Sequence, residues 1–250
     1  MGKSFIELCG KIHPRLFFCN LSRRKPDINL PELKLRHLEC DLAQPAAIER
    51  AVATVEELLK CEAPAGRILL INNSGFGAYG RFPEPNLGHQ LEMIDVNMRA
   101  VVQLTGLLLP LLKARGGAII TVASTAAFQP TAYMATYGAS KAFVLHWSLA
   151  LNEELRGTGV RTLAVCPGPT ATDFFRRAGL QQGSVADAWG MSCEDVVTIA
   201  LRALAAGRSQ VVTGWKNKLS AWAGSLGPKP WTARIGAAIL ARYRLKQVSR

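Results

Sequence analysis

The chain has 250 residues, 49% hydrophobic and 19% charged, with a formal net charge of +12. That length carries one large α/β domain with a sizeable core, and that hydrophobic share excludes a disordered polymer. No continuous apolar run is as long as a membrane span, the first residues do not read as a signal peptide, and the six cysteines are scattered. They form neither a C-x-x-C pair nor a set with paired histidines, so a cytoplasmic protein with reduced thiols and no metal site is expected.

The charge is uneven. From residue 207 to 250 there are nine Lys or Arg and no Asp or Glu, so much of the excess is a basic tail. Nucleic-acid binding, the first reading of such a charge, is therefore the weaker account.

In chain order, residues 2–9 look like the first turns of a helix. Residues 15–20 read as a buried strand, followed by Arg23-Arg24-Lys25. Residues 33–41 make a second strand with partial alternation. A helix starts at Pro45, with Ile48, Val52, Val55 and Leu59 on one stripe. Residues 67–72 are almost wholly apolar, as in a strand covered on both faces. A long helix over 87–115 carries Asn97. The strand 118–123 leads to Ser124 and a helix that runs to about residue 156. The strand 160–166 comes next, then a polar loop to Met191, a helix over 192–206 with Ser192 as its N-cap, and a short strand at 209–213. Strands separated by helices of this length imply an α/β, Rossmann-like, doubly wound parallel sheet. The basic tail, 215–250, reads as two helical pieces broken at Gly227-Pro228 and bearing Trp215, Trp222 and Trp231. Residues 1–214 form the α/β domain and the tail a C-terminal extension.

The chemistry concentrates between Ser124 and Lys141. Ser124 falls at the carboxyl end of a strand. Tyr137 and Lys141 are four residues apart on one helix and share a face. A tyrosine hydroxyl titrates near pH 10 by reference, roughly, which is too high for a base at neutral pH. An ammonium one turn away favours the phenolate, and a serine hydroxyl can hold a substrate oxygen beside it. Such a set suits proton transfer in carbonyl–alcohol chemistry.

Other motifs support it. Asn72-Asn73-Ser74-Gly75 closes a strand with small and amide residues that allow close approach of a ligand. Gly75-Phe-Gly77-Ala-Tyr-Gly80 fits the dinucleotide pattern but does not open into a helix, so it reads as a substrate-side loop. Arg23 and Arg24 follow the first strand, where dinucleotide folds read the adenosine ribose. Two guanidiniums there suit a 2′-phosphate, hence NADP rather than NAD. Asn97 is a poor helix former inside a helix. Substrate selection is expected from Tyr79, Phe128, Gln129, Met134 and the loop 174–191.

Asn97, Ser124, Tyr137 and Lys141 stand in the order and spacing of a known catalytic set, and the chain resembles the short-chain dehydrogenase/reductase family, in its ordinary single-domain branch, over roughly residues 2–214. The resemblance implies an NADP-dependent oxidoreductase that interconverts a ketone and a secondary alcohol by hydride transfer. Tyr137 would be the general acid/base, and Lys141 would lower its pKa and hold the nicotinamide ribose. Ser124 would fix the substrate oxygen, and Asn97 would hold a water in a proton path. Asn73, Ser74 and Gly75 would border the cofactor, Asp41-Leu42 would meet the adenine, and Pro167, Gly168, Thr170 and Thr172 would meet the nicotinamide carboxamide. Family members also pair through the helices that here hold Asn97 and Tyr137.

The chain departs from the family at its start. The family opens with an apolar strand and a Thr-Gly-x-x-x-Gly-x-Gly turn. Here Met1-Gly2-Lys3-Ser4-Phe5 matches only the last positions of that turn, which leaves Gly2 as its one cofactor contact. The sheet is therefore expected to lack its first, central strand. The strands at 15–20 and 67–72 must then pair directly or leave edges unpaired. Met1 is expected to be a misassigned start, with roughly fifteen residues missing by the length of the motif. The alternative is a genuine truncation that binds cofactor poorly. Two other readings stay open: a catalytically silent binding or scaffold protein, and a tail-driven binder of nucleic acid or of a membrane surface.

Overall fold

The computed structural model describes residues 1–82, 84–172, 174, 178–179 and 190–242. Helix α1 (Gly2–Ile12) leads to β1 (Phe17–Ser22) and β2 (Lys34–Glu39). Helix α2 (Pro45–Glu62) begins on the expected proline, and β3 (Ile68–Asn72) follows it. Next comes one long helix in three parts: α3 (Leu87–Ile94), a π-helical turn (Asp95–Arg99) and α4 (Ala100–Arg115). Strand β4 (Gly117–Val122), a 3-10 turn (Thr125–Phe128) and α5 (Ala135–Glu154) carry the central motif. Strand β5 (Val160–Cys166), α6 (Cys193–Ala205) and β6 (Gln210–Val212) complete the sheet region. Helices α7 (Trp215–Leu226) and α8 (Lys229–Arg242) lie beyond it.

Alternation along the strands sorts side chains into layers. In β4, Ile119 packs with Val52, Leu104 and Leu112 from α2 and α4. Its neighbours Ile120 and Val122 face the other way, against Phe5 of α1 and Val196, Val197 and Ala200 of α6. Helix α5 covers Ala123 and Ala164 through Val144 and Leu145. The helix 87–115 is long and apolar enough to cross a membrane, yet Leu104, Leu108 and Leu112 pack into the core.

All strand pairings are parallel, but the sheet is in two pieces. Strands β3-β4-β5-β6 form one, and β1-β2 the other, with Phe17 opposite Lys34 and Ser22 opposite Glu39. β1 and β3 are not paired with each other. Between them runs a groove of about 340 Å³ whose walls include Phe18 and Asn20 of β1 and Leu69 and Ile71 of β3, with Val101 and Leu104 from α4. Among the described residues no strand lies between β1 and β3, and two sheet edges face an open slot.

This corrects the expected burial of the strands at 15–20 and 67–72. Every residue of β1 is only half-buried, and β1 starts at Phe17 and runs on to Ser22. In β3, Leu69 remains 39% exposed. Both strands have apolar residues for two neighbours and have one. The two-stranded piece is held instead from behind, by Cys19, Leu21 and Leu38 against the cluster built on α2.

Candidate active site

Ser124 leaves β4 at its carboxyl end and caps the 3-10 turn, its hydroxyl accepting from the Ala126 N–H at 3.1 Å. The next N–H, of Thr125, donates to the Pro167 carbonyl at 2.9 Å and ties the segment to the end of β5. Tyr137 and Lys141 lie on one face of α5, as the spacing requires, with the ammonium 5.9 Å from the phenol ring centre. Both are buried. Lys141 Nζ donates to the Val122 carbonyl at 2.8 Å.

Burial dominates the electrostatics of the pair. It pushes the Tyr137 hydroxyl up to about 12, against a smaller opposing effect from its hydrogen bond with Ser124. It pulls Lys141 down to about 8, with the Cys166 thiol in the opposite sense. The expectation that Lys141 lowers the Tyr137 pKa is therefore not met. Desolvation disfavours the charged form of both groups, and the lysine spends its short hydrogen bond on a backbone carbonyl. Burial thus favours the neutral phenol at Tyr137.

Asn97 falls in the π-helical turn, a distortion that concentrates at functional sites. Its Oδ1 accepts from the Phe76 N–H at 3.1 Å, and its Nδ2 donates to the Phe76 carbonyl and to Ser140 Oγ, both at 3.0 Å. The side chain thus fastens the loop after β3 to α5. Gly75 threads between: a Cβ there would stand 3.0 Å from Asn97 Oδ1 and 3.2 Å from Lys141 Nζ. No larger residue fits without moving the lysine.

These groups share one cleft of about 340 Å³. Its walls include Asn73, Gly75, Ser124, Tyr137 and Lys141, and Pro167, Gly168, Thr170 and Thr172 complete one side. Asn72 lies just behind, donating to Thr105 Oγ1 at 3.1 Å. Of the expected substrate residues, Gln129 and Met134 line the cleft. Phe128 turns away and packs with the Val144 and Leu145 cluster, because the 3-10 turn points it inward. Tyr79 instead donates to the Leu240 carbonyl at 2.8 Å. Phe174, with its ring 5.0 Å from that of Tyr137, forms a wall; most of the loop 174–191 lies outside the described residues.

The expected adenosine-side residues are not gathered with the rest. Arg23 pairs with Glu92 at 3.3 Å on an exposed surface, and Arg24 is exposed. Asp41 caps the turn before α2 by accepting from the Ala43 N–H at 3.0 Å, and Leu42 is buried in the core. Gly2, at the start of α1, lies against Asn73, with 2.9 Å from a built Cβ to Nδ2, and Ser74 lines the slot rather than the cleft.

Sequence reasoning missed two contributors. Ser140 looks like an ordinary small helix residue, although its hydroxyl, donating to the Tyr137 carbonyl at 2.7 Å, positions Asn97. A tail helix packed on the protein is one of the expectations for residues 215–250, but not its place at the cleft, where Ser220, Gly236, Ile239 and Leu240 form part of the wall. The small residues of the tail helices carry the only signal. Gly224 sits against the Gln129 side chain, so close that a Cβ there would meet its Oε1.

A nicotinamide nucleotide fits the cleft at one end. Gly75 leaves an open approach to Lys141, and Asn73 Oδ1 is buried with no hydrogen-bond partner. At the other end the arginines are turned to solvent and to Glu92.

Comparison with known proteins agrees. The short chain dehydrogenase family model matches residues 15–183. An uncharacterized oxidoreductase of Staphylococcus epidermidis is 32% identical over 170 residues, covering 63% of this chain and 74% of that protein. Ketoacyl reductase HetN of Nostoc sp. is 41% identical over 101 residues, 40% of this chain but only 35% of its own length. Among solved structures, a short-chain dehydrogenase from Sphingobium yanoikuyae in complex with NADPH superposes with a TM-score of 0.63 at 28% identity, covering 87% of this chain and 78% of that one. By its sequence match, its parallel α/β layers and the placement of Ser124, Tyr137 and Lys141, the chain belongs to the short-chain dehydrogenase family of oxidoreductases.

Proposed function

We propose that the protein is an NADP-linked oxidoreductase that reduces an apolar ketone or aldehyde to the alcohol. The observation that carries this reading is the convergence of Ser124, Tyr137 and Lys141 on one wall of one cleft, with the phenol held neutral by burial. A neutral phenol can give its proton to a carbonyl oxygen on reduction and take it back on oxidation. Ser124, hydrogen-bonded to Tyr137, orients the substrate oxygen toward that proton. Lys141 would hold the nicotinamide ribose and keep a positive charge beside the phenol. Asn73, Gly75, Pro167, Gly168, Thr170 and Thr172 would hold the nicotinamide half. Arg23 and Arg24 would meet the 2′-phosphate, Arg23 giving up its pairing with Glu92. NADPH supplies the hydride; the chain supplies position, charge and exclusion of water. Asn97 acts as a positioning residue through the Phe76 backbone.

The bound NADPH of the Sphingobium relative supports the choice of cofactor. The apolar lining from Met134, Phe174 and Ile239 supports an apolar substrate. A second reading, a catalytically silent binding protein, draws on the slot between β1 and β3, which separates the adenosine-side arginines from the cleft. Fluorescence titration with NADPH, followed by NADPH oxidation with a panel of ketones and aldehydes, tests the proposal. Saturable binding and consumption of NADPH by at least one apolar carbonyl is the expected result. Absence of binding would leave the silent reading.

A further inference from the structure

The two tail helices are amphipathic in reverse. In α7, Trp215, Leu219, Trp222 and Leu226 are all exposed, by 71%, 59%, 63% and 66%. Spaced at i, i+4, i+7 and i+11, they fall within about 60° of arc on the helix surface. The face that α7 turns inward is made of small residues, Ala221 and Gly224, which let the helix settle onto Gln129 and the 3-10 turn. In α8, Trp231, Ile235 and Ile239 repeat the pattern at i, i+4 and i+8, again exposed. Gly236 faces the Pro130 carbonyl. Only Gly227 and Pro228 separate the helices, so the two exposed stripes follow one another directly along the chain.

A stripe of large apolar residues facing water along two consecutive helices is an interaction surface rather than scattered exposure. Its borders identify the partner. Lys216 and Lys218 flank the α7 stripe and Arg234 is exposed on α8, whereas Lys229 Nζ is turned onto the carbonyls of Phe128, Gly224 and Ser225. No acidic residue occurs from residue 207 onward, and the sequence beyond Ala241 adds Arg242, Arg244, Lys246 and Arg250. A second copy of this surface would bring like charges together with no carboxylate to meet them. Tryptophan rings beside lysines suit the boundary between headgroups and acyl chains, and lysines suit anionic headgroups.

We propose that the exposed stripes of α7 and α8 form a docking surface for an anionic phospholipid bilayer, with the tryptophans at the headgroup–acyl boundary, the isoleucines at acyl depth, and Lys216 and Lys218 among the headgroups. The face is joined to the cleft: Ile239 belongs to the exposed stripe and also lines the site of Tyr137. Docking therefore sets the mouth of the cleft at the bilayer surface. This surface stands on exposure and charge alone and does not depend on the proposed activity.

Flotation of the full chain with vesicles tests it. Vesicles of phosphatidylcholine and phosphatidylserine mixed roughly seven to three are compared with phosphatidylcholine alone, at low and at high salt. The wild type should float with the anionic vesicles, less so in high salt. Trp215→Ser/Trp222→Ser/Trp231→Ser and, separately, Lys216→Glu/Lys218→Glu should each cut the bound fraction by about tenfold or more. The charge-reversal variant gives the answer independently if the serine variant does not fold. A wild type that stays at the bottom of the gradient overturns the proposal, as do variants that float like the wild type. Self-association on gel filtration that the serine substitutions abolish, without vesicle binding, would assign the face to a second copy of the chain.

Discussion

The β3-β4-β5-β6 piece of the sheet and the β1-β2 piece are made of similar residues and are in different states. In the first, β4 has partners on both sides, and every side chain of the 3-10 turn and α5 that the chemistry needs is fixed by a named bond. In the second, β1 is half-exposed along its whole length, and the arginines that follow it face solvent and Glu92. A parallel strand is stable when both its neighbours and both its faces are covered. The difference teaches that the cleft around Ser124, Tyr137 and Lys141 is preorganised by the sheet, whereas the β1-β2 edge and the arginines after it are not.

The largest expected effect tests the preorganised half. Tyr137→Phe removes the proton donor without touching Lys141 or Asn97. Turnover should fall by roughly 10²–10⁴-fold while NADPH titrates nearly as before. A mutant turning over at close to the wild-type rate would show that the proton comes from elsewhere.

The second prediction tests the open half. An apolar strand of six residues, joined ahead of Met1 through a short glycine-rich turn, should seat between β1 and β3. Met1 and Gly2 already lie beside Asn73 at the carboxyl end of β3, so such a strand would run parallel to both edges. Pairing several edge groups, at about 1 kcal/mol net each, should raise the melting temperature by about 5–10 °C. NADPH should also bind more tightly. An unchanged melting curve would mean that the two pieces close on each other in solution.

A third measurement sharpens the electrostatic contrast. Lys141 is driven from 10.5 to about 8 in the folded protein. Between those values the unfolded chain binds more protons, so stability rises with pH through the window from about 8 to 10.5. The buried charge costs at most about 3 kcal/mol below pH 8. Relative to Lys141→Met, the wild type should therefore gain stability as pH climbs from 8 toward 10.5. Urea melts of both proteins across that range measure it, and parallel curves would show that the lysine is not desolvated in solution.

The smallest effect concerns the arginines. Each charge-assisted contact to a 2′-phosphate is worth on the order of 1.5–3 kcal/mol, less the Arg23–Glu92 pair that must first break. Arg23→Ala/Arg24→Ala should erase most of the preference for NADP over NAD, read from the ratio of the two dissociation constants. A ratio left as it was would place the phosphate site elsewhere.

How much could be read before folding follows from the range of each signal. Tyr137 and Lys141 are legible because four residues on a helix always share a face. Ser124 is legible because a strand must end where its apolar run ends. The helix bounds near Pro45 and Ser192 follow from local capping chemistry. Other features depend on contacts far apart in the chain. The Asn97–Ser140 bond spans 43 residues, and the Tyr79–Leu240 bond spans 161. Neither leaves a local pattern.

The sequence alone thus determined the family, the layer architecture, the grouping of Ser124, Tyr137 and Lys141 and the basic character of the tail, since each rests on spacing or composition. Only the tertiary structure decided that β1 and β3 stay apart. It also decided that burial sets the charge state of Tyr137 and Lys141 against the expected direction, and that the tail closes the cleft while turning its tryptophans outward. Desolvation, edge pairing and the choice of which helix face is covered are properties of the packed assembly, and no stretch of chain carries them by itself.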